Sequence, residues 1–577
     1  MDGKRQLNDV ITAERAEGTS VGLRDGDHGS HNHHAVPLLE LNETEILMYH
    51  APTPPSYYTI DFEETESDAA RHPGLIVSHA LFMSLAFFGA LPIGIAMRSV
   101  RHAGHGIAVA SFYGLCALGC ASSALYSKLT PNMYVNLRAK HGSHGWLILS
   151  FAVLLTIIDV FSAIRRCLAY FKNGEKFEIK RFWRVVVLNK EDGREGKEME
   201  IEYTNLAEEY EIPESRNVMR RHDRQFSTAS DGTLFGLHSP TNSEDTLQNF
   251  KFRAQSRSVP LLTRIALTSF AVAERALVFA GLAQLLTGIV VYTGGCRENY
   301  INGCLAHLIK GGIFWCYGLL SFARFLGSFA EYGWAWNKAP FGDPYSAEFI
   351  ESLVIFCYGV TNTWMERFGA HAGDPFTTKQ IQHISIAVMF WFAGLVGMGI
   401  ESKRIRNWLA SSTFAPSKPS DTHQVVGEPA SYSASFNPFP ALVIGVTGAA
   451  MSAHFQTYLF QVQIHALWGN LLVGFAVLRC LTYFFLWLGP PRSILPSRPP
   501  TEALGSFFLA CGGLVFMFST EEVTLAAMRR GRDDVMMFLN VAVAITCFAF
   551  CWTLCVVGFK GWLKMRANPT VTFVNSV

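Results

Sequence analysis

Charged residues are scarce in this sequence. Asp, Glu, Lys and Arg supply 16% of its 577 residues, whereas a typical soluble protein has about 25%, so an ordinary water-soluble domain is excluded. The net charge of +1 leaves no basic excess that would bind nucleic acid. A GxxxxGK[ST] phosphate-binding loop and an HExxH zinc motif are also missing, which excludes the enzyme classes that depend on them.

Apolar residues are plentiful instead, and they occur in long runs. They make up 49% of the sequence, which includes 44 Phe. A helix needs about 20 mainly apolar residues to cross the hydrocarbon core, and it satisfies its own backbone hydrogen bonds, which lipid cannot do. Runs of this kind cover residues 75–97, 106–126, 145–164, 272–293, 305–329, 348–365, 381–400, 438–459, 464–488, 503–520 and 535–559. The sequence therefore predicts an all-α, polytopic transmembrane helical bundle of about eleven spans.

Two of these runs are hard to delimit. Residues 438–488 are almost continuously apolar, and we place the turn between their two spans near Gln461 and Gln463. The run 348–365 is short enough to be re-entrant.

Hydrophilic segments divide the chain into five parts. We predict a lumenal or extracellular His-containing tail (1–71), a three-helix membrane module (72–165), a partly disordered cytoplasmic loop (166–262), a multi-span membrane domain (263–560) and a cytoplasmic tail (561–577). The long hydrophilic loop thus joins two membrane modules. Within it, Ser227 and Ser239 lie in sequences typical of kinase substrates.

The distribution of Lys and Arg predicts the orientation. Basic residues concentrate in the loops that lie inside if the N-terminus is outside, so we expect a lumenal or extracellular N-terminus and a cytoplasmic C-terminus. The loop that contains Arg529 is an exception. The glycosylation sequon at Asn42 and a disulfide between Cys296 and Cys304 are both predicted on the lumenal side, in a secretory-pathway, vacuolar or plasma membrane.

The first ten residues are charged and lack the apolar core of a secretory signal. We expect either that the first span translocates the tail or that a further segment precedes the sequence.

Histidines of the first module lie at the ends of spans. His79 lies about one turn inside the outer end of the first span, and His141 and His144 open the third span from the same side. Two imidazoles on facing helices at matching depth can ligate a haem. His79 with His144, or with His141, is therefore a candidate haem b site, and interhelical hydrogen bonding is the alternative.

A second set of polar residues converges on the outer leaflet in the C-terminal domain. Imidazole and carboxylate groups together suit zinc, copper or iron. The candidate divalent-metal ligands are His371, His383, His454, His465 and Glu521. His454 with His383 or His465 is an alternative haem pair, and structural hydrogen bonding between helices is the other interpretation.

Several motifs resemble known families. The segment His72-Pro-Gly-Leu-Ile-Val-Ser-His79 and the motif His141-Gly-Ser-His144-Gly-Trp resemble the helices of cytochrome b561 domains, over residues 72–164. The motifs 306–315, 368–376, 452–456 and 463–469 resemble the fungal Ytp-one family of integral membrane proteins. These resemblances imply a b561-like N-terminal region and a longer C-terminal membrane domain of the Ytp-one type. The fourth-helix His of two-haem cytochromes is absent, since residues 272–293 contain none.

Three functions are consistent with these features. The first is haem- or metal-dependent transmembrane electron transfer, with an electron donor or acceptor as partner. The second is a divalent-metal or proton-coupled transporter, and the third is a non-catalytic membrane scaffold. The lipid bilayer is the partner that all three share.

Overall fold

The structure is a computed structural model. It describes residues 36–44, 46, 72–100, 102–130, 140–172, 178, 182, 186, 261–293, 304–340, 344–365, 375–376, 378–412, 429, 432, 436–454 and 456–567. Every regular element in this part of the chain is a helix, as predicted.

A helix accounts for most of each of the eleven predicted apolar runs. The eleven are α1 (Pro73–Ser99), α2 (His105–Leu129), α3 (His141–Lys172), α4 (Leu261–Thr293), α5 (Ala306–Phe325), α6 (Ala347–Met365), α7 (Thr378–Glu401), α9 (Phe439–Ser452), α10 (Leu459–Leu488), α11 (Pro500–Phe518) and α13 (Val535–Ala567). Two short helices lie between them, α8 (Lys403–Ser411) and α12 (Glu521–Arg529).

The described helices differ in how well they suit a membrane. Seven are long and apolar enough to cross one, and α9 and a segment of α3 are shorter apolar helices. The other two, α5 and α6, contain charged residues, which lower their hydropathy. The all-α polytopic fold class is confirmed.

The turn within residues 438–488 lies earlier than predicted. Helix α9 ends at Ser452 and α10 begins at Leu459. The predicted turn residue Gln461 is instead buried inside α10, where its amide donates a hydrogen bond to Thr524 Oγ1 at 3.2 Å. A satisfied amide can stay in a helix interior, so the placement of the turn at Gln461 and Gln463 was wrong.

The helices pack around two apolar cores. Ala86, Phe112, Ala152 and Leu277 belong to a core formed by α1 to α4. A larger core joins α5, α6, α7, α9, α10, α11 and α13. Helix α4, which the sequence analysis assigns to the C-terminal domain, therefore packs with the N-terminal helices.

Helix α13 contacts both bundles. Trp552 Nε1 donates a hydrogen bond to the Phe88 carbonyl oxygen of α1 at 2.6 Å. Two residues earlier on α13, Phe550 stacks on Phe322 of α5, with ring centroids 4.0 Å apart. The last helix thus connects the N-terminal and C-terminal bundles.

The N-terminal tail is anchored on one end of the C-terminal bundle. The Leu38 amide donates to the Thr457 carbonyl oxygen, and the Leu459 amide donates to the Leu38 carbonyl oxygen. Ile46 packs on Tyr458 and Leu525. These contacts place the tail beside the α9–α10 connection and α12, which the predicted topology puts on the same outer side.

An ion pair explains the basic residue that contradicted the charge pattern. Arg529 Nε and Nη2 donate to the two carboxylate oxygens of Glu43 at 2.7 and 2.9 Å. The acidic tail therefore neutralises a cation on the predicted outer face.

We expect acidification to release this tail. The hydrogen bond from Arg529 lowers the pKa of Glu43 below its ordinary value of 4.5, so the attachment is fully present above pH 4.5 and is lost as the pH falls through the lowered pKa. Both side chains are about half exposed, with 46% and 52% of their surface accessible, so the effect on stability is below about 1 kcal/mol. The protection of residues 38–46 against hydrogen exchange, relative to the intrinsic exchange rate at each pH, should fall in acid, and Arg529→Gln should remove that dependence. Protection that falls equally in Arg529→Gln would contradict the assignment.

Candidate functional site: a buried charge network and histidine pairs

Five charged residues meet inside the C-terminal bundle, towards the predicted inner side. Arg324 of α5 pairs with Glu348 at 2.9 Å and with Glu351 at 2.5 Å, both from α6. Arg479 of α10 pairs with the same Glu351 at 3.3 Å and with Glu502 of α11 at 2.6 Å. Glu351 thus bridges the two guanidinium groups, and the network links four helices.

This network is shielded from its surroundings. Arg479 is 1% exposed and Glu502 is fully buried. The guanidinium of Arg324 lies 4.4 Å from the Trp336 ring centroid, and that of Arg479 lies 5.3 Å from the Phe475 ring centroid. Both cations therefore gain cation–π contacts in addition to their carboxylates.

Charge and hydrogen bonding in the network are not balanced. It contains three carboxylates and two guanidinium groups, so it has one negative charge in excess when all five are ionised. Within the part of the chain that the structure describes, Glu502 Oε2, the Tyr483 hydroxyl and Arg479 Nε are buried without a hydrogen-bond partner. The site can therefore accept a proton or a small cation.

Sequence reasoning missed this network. None of Arg324, Glu348, Glu351, Arg479 and Glu502 was selected as a candidate site residue. The signal was present, because an ionisable residue within an apolar run is costly unless it has a partner. Arg479 lies in the middle of the predicted span 464–488 and should have prompted a search for carboxylates at the same depth.

In the N-terminal bundle, His79 lies beside His141. Their ring centroids are 6.3 Å apart and the rings are nearly perpendicular. His79 Nδ1 donates to the Gly119 carbonyl oxygen at 2.8 Å, and Gln284 Nε2 lies 3.0 Å from His141 Nδ1. Of the two predicted partners for His79, the structure brings His141 to it, whereas His144 is exposed.

The second predicted set divides into two pairs. His383 and His454 stack with ring centroids 6.4 Å apart, while His465 lies 5.9 Å from His307, a residue the sequence analysis did not select. His454 lies in the α9–α10 connection, not late in a span as expected. Glu521 begins α12, and His371 lies outside the described residues.

Among the residues that the structure describes, no group of three or more His, Cys, Asp or Glu could hold a metal ion. The five-residue divalent-metal site and the haem b sites stay predictions.

An aromatic layer separates the outer imidazoles from the inner charges. Trp468 of α10 stacks on Phe516 of α11, with ring centroids 4.1 Å apart, and Trp468 is fully buried. His465 and Arg479 lie on either side of Trp468 along α10, separated by about 21 Å at 1.5 Å per residue. Two polar regions thus share one helix, with an apolar barrier between them.

The remaining predicted residues are distributed as follows. Asn42 is described and exposed, as its sequon requires, although glycosylation itself stays a prediction. Cys304 is disulfide-bonded and the other ten described cysteines are free. Cys296, Ser227 and Ser239 lie outside the described residues.

Two regions of the chain match family models. Residues 280–561 match the family model described as protein YTP1-like, C-terminal. Residues 61–165 match a domain of unknown function, DUF2427, and the likeness of this region to cytochrome b561 stays a prediction. No solved structure matches the chain.

Relatives occur in two yeasts. An uncharacterized membrane protein of Schizosaccharomyces pombe is 40% identical over 300 residues, which is 50% of this chain and 57% of the relative. An uncharacterized membrane protein of Saccharomyces cerevisiae is 38% identical over 281 residues, which is 46% of this chain and 43% of the relative. Protein YTP1 of the same yeast is 26% identical over 291 residues, which is 50% of this chain and 54% of the relative.

The chain spans about half the length of the curated relatives it matches. The fold, the two domain matches and the relatives agree on an integral, multi-pass membrane protein whose residues 280–561 form a YTP1-like C-terminal domain.

Proposed function

We propose that this protein is a proton-coupled membrane transporter with a divalent cation as its substrate class. The observation that supports it most strongly is the charge network of Arg324, Glu348, Glu351, Arg479 and Glu502. Ionisable groups at membrane depth are costly to bury, and in membrane proteins they mark ion pathways and proton relays.

The excess carboxylate is the proton-binding group of this proposal. Two guanidinium groups offset two of the three carboxylates, and an uncompensated buried charge is strongly unfavourable. Binding one proton removes the excess. We assign that proton to Glu502, because its Oε2 is buried and has no hydrogen-bond partner among the described residues.

In this proposal, the polar residues at the two ends of α10 form the pathway for the cation and the proton. His307 and His465 form the outer polar region, and imidazoles bind zinc, copper and iron. The Trp468–Phe516 stack blocks a continuous water-filled path, which a coupled transporter needs so that protons do not leak. In this proposal the outer imidazoles receive the cation, and Glu502 exchanges its proton on the inner side.

Proteoliposomes test the proposal directly. Vesicles that contain the full chain and an internal pH dye should show proton flux when Zn²⁺ or Mn²⁺ is added outside. Glu502→Gln removes the exchangeable proton but keeps the side-chain volume, so flux should fall to the level of empty vesicles.

The matched control is Glu331→Gln. Glu331 lies in the turn Ala330–Tyr332 on the same predicted side but outside the network, so this variant should transport like the wild type. Equal flux in Glu502→Gln and wild type, or no cation-driven flux in wild type, would overturn the proposal. An infrared carboxylic-acid band that is present in wild type and lost in Glu502→Gln would support the proton assignment independently.

A second candidate function is electron transfer by a haem held between His79 and His141. Two imidazoles that ligate one metal have ring centroids about 6 Å apart, given metal–nitrogen bonds of about 2 Å, and the observed separation is 6.3 Å. The bond from His79 Nδ1 to a carbonyl leaves Nε2 for the metal, which is how ligating imidazoles are usually oriented. A bound haem would supply the one-electron chemistry, and His79 and His141 would hold it.

Absorption spectra test this second candidate. The oxidised and reduced protein should show haem bands that disappear in His79→Ala and in His141→Ala. His144→Ala should keep them, because His144 is exposed. Haem bands that survive both of the first two substitutions, or no bands in wild type, would exclude a haem at this pair.

A further inference from the structure

One imidazole of the outer polar region is almost completely covered by protein. His465 is 3% exposed, and its ring centroid lies 5.9 Å from that of His307. Towards the predicted inner side, the stack of Trp468 on Phe516 closes the pair. Access to His465 therefore requires a movement of the residues that cover it on the opposite side.

Helix α12 lies across that opposite side. Gln461 lies four residues before His465, about 6 Å further out along α10, and its side-chain amide donates to Thr524 Oγ1 of α12 at 3.2 Å. Cys304 lies about one turn before the imidazole of α5, and its Sγ lies 3.8 Å from Glu522 Oε2 of α12. Helix α12 therefore contacts both chain segments just beyond the two imidazoles.

Non-helical residues separate α12 from the helices on either side. Thr520, between α11 and α12, has an extended ψ of 141°. A turn follows α12 before α13, and Gly531 in this turn has a φ of 58°. Changes of backbone dihedral angles at these two points would move α12 while α11 and α13 stay intact.

The N-terminal tail fastens α12 to the start of α10. Glu43 of the tail pairs with Arg529 at the end of α12. Ile46 packs on Leu525 of α12 and on Tyr458, the residue that precedes α10. Because the tail backbone also bonds to the α9–α10 connection, one segment holds both the covering helix and a helix that carries an imidazole.

We propose that α12 is a lid over the His307–His465 pair and that the tail, through residues 36–44 and Ile46, holds this lid closed. In the open state, α12 swings about its two non-helical ends and exposes His465. Lids of this kind separate a binding site from water until they open. The role of the pair in receiving a cation rests on the proposed function, whereas the movement of α12 does not.

Chemical modification of the purified full chain tests the lid. Diethyl pyrocarbonate modifies accessible imidazoles, and mass spectrometry of the peptides quantifies the modification of each one. Arg529→Glu and Glu43→Arg each replace an attraction by a repulsion. Each should therefore raise the modification rate of His465 about fivefold, which corresponds to about 1 kcal/mol. The double variant exchanges the two charges, restores the attraction and should return to the wild-type rate.

His144 is the internal control, because it is exposed in the other bundle and should react equally in all four proteins. An unchanged rate at His465 in both single variants would overturn the proposal, and so would a double variant as reactive as the single ones. An increase at His144 as large as that at His465 would also overturn it, since it would indicate general loosening of the fold. The assay contains no metal ion and no pH gradient, so it and the flux assay can fail separately.

Discussion

Arg479→Met should destabilise the protein by about 3–5 kcal/mol, the typical cost of removing one partner from a buried ion pair. Arg479 contacts Glu351 and Glu502, and its loss leaves both carboxylates without that cation. Methionine keeps most of the side-chain volume, so the effect measures charge more than cavity formation. Unfolding in a denaturing detergent titration, with tryptophan fluorescence as the signal, measures the difference.

A second substitution should partly rescue this variant. Glu502→Gln removes the carboxylate that Arg479 leaves unpaired, so the double variant should be more stable than Arg479→Met alone. Arg529→Met is the exposed control, because its pair with Glu43 is accessible to water and contributes under about 1 kcal/mol. If the effects of the two network substitutions simply add, the two residues are not energetically coupled, and the network does not act as a unit.

Gly513→Leu should separate α5 from α11. A Cβ at Gly513 would lie 2.5 Å from the Trp315 amide nitrogen and 2.6 Å from the Gly311 carbonyl oxygen. Both neighbours are backbone atoms, so no side-chain rotation can relieve the clash. Overpacking of this kind costs about 1–3 kcal/mol and occasionally more.

Thermal unfolding in detergent should show the change, with Gly558→Leu as the matched control. Gly558 lies on α13, where an added Cβ would meet no atom within 4 Å. Equal unfolding temperatures in the two variants would show that α5 and α11 are less tightly packed than described. Thermal unfolding of Arg479→Met under the same conditions would compare the stability lost with the charge network to the stability lost when the α5–α11 packing is disrupted.

Helix positions were predictable from the sequence because membrane thickness fixes the length of an apolar run. Each of the eleven runs contains a helix, and composition and length were enough to find it. The turn near Gln461 was misplaced because sequence analysis treats an amide as a break, whereas Thr524 on a distant helix satisfies it. A hydrogen-bond partner on another helix can be identified only from the packed structure.

The position of a residue along its helix was predictable, but the rotation of the helix about its axis was not. His141 and His144 have nearly the same depth, yet the structure turns His141 towards His79 and leaves His144 exposed. Helix rotation and tilt also decide which imidazoles meet. The sequence placed His465 and His383 in one predicted site, whereas the structure places them in different pairs. The charge network was missed for a different reason, because each acid or base was judged within its own span.

The contacts of α13 constrain how the molecule can move. This helix contacts α1 through Trp552 and α5 through Phe550, two positions less than one helical turn apart. A rigid-body rotation of one bundle against the other must therefore pivot close to this point, where both contacts change least. The rotation axis of such a motion would then lie at α13.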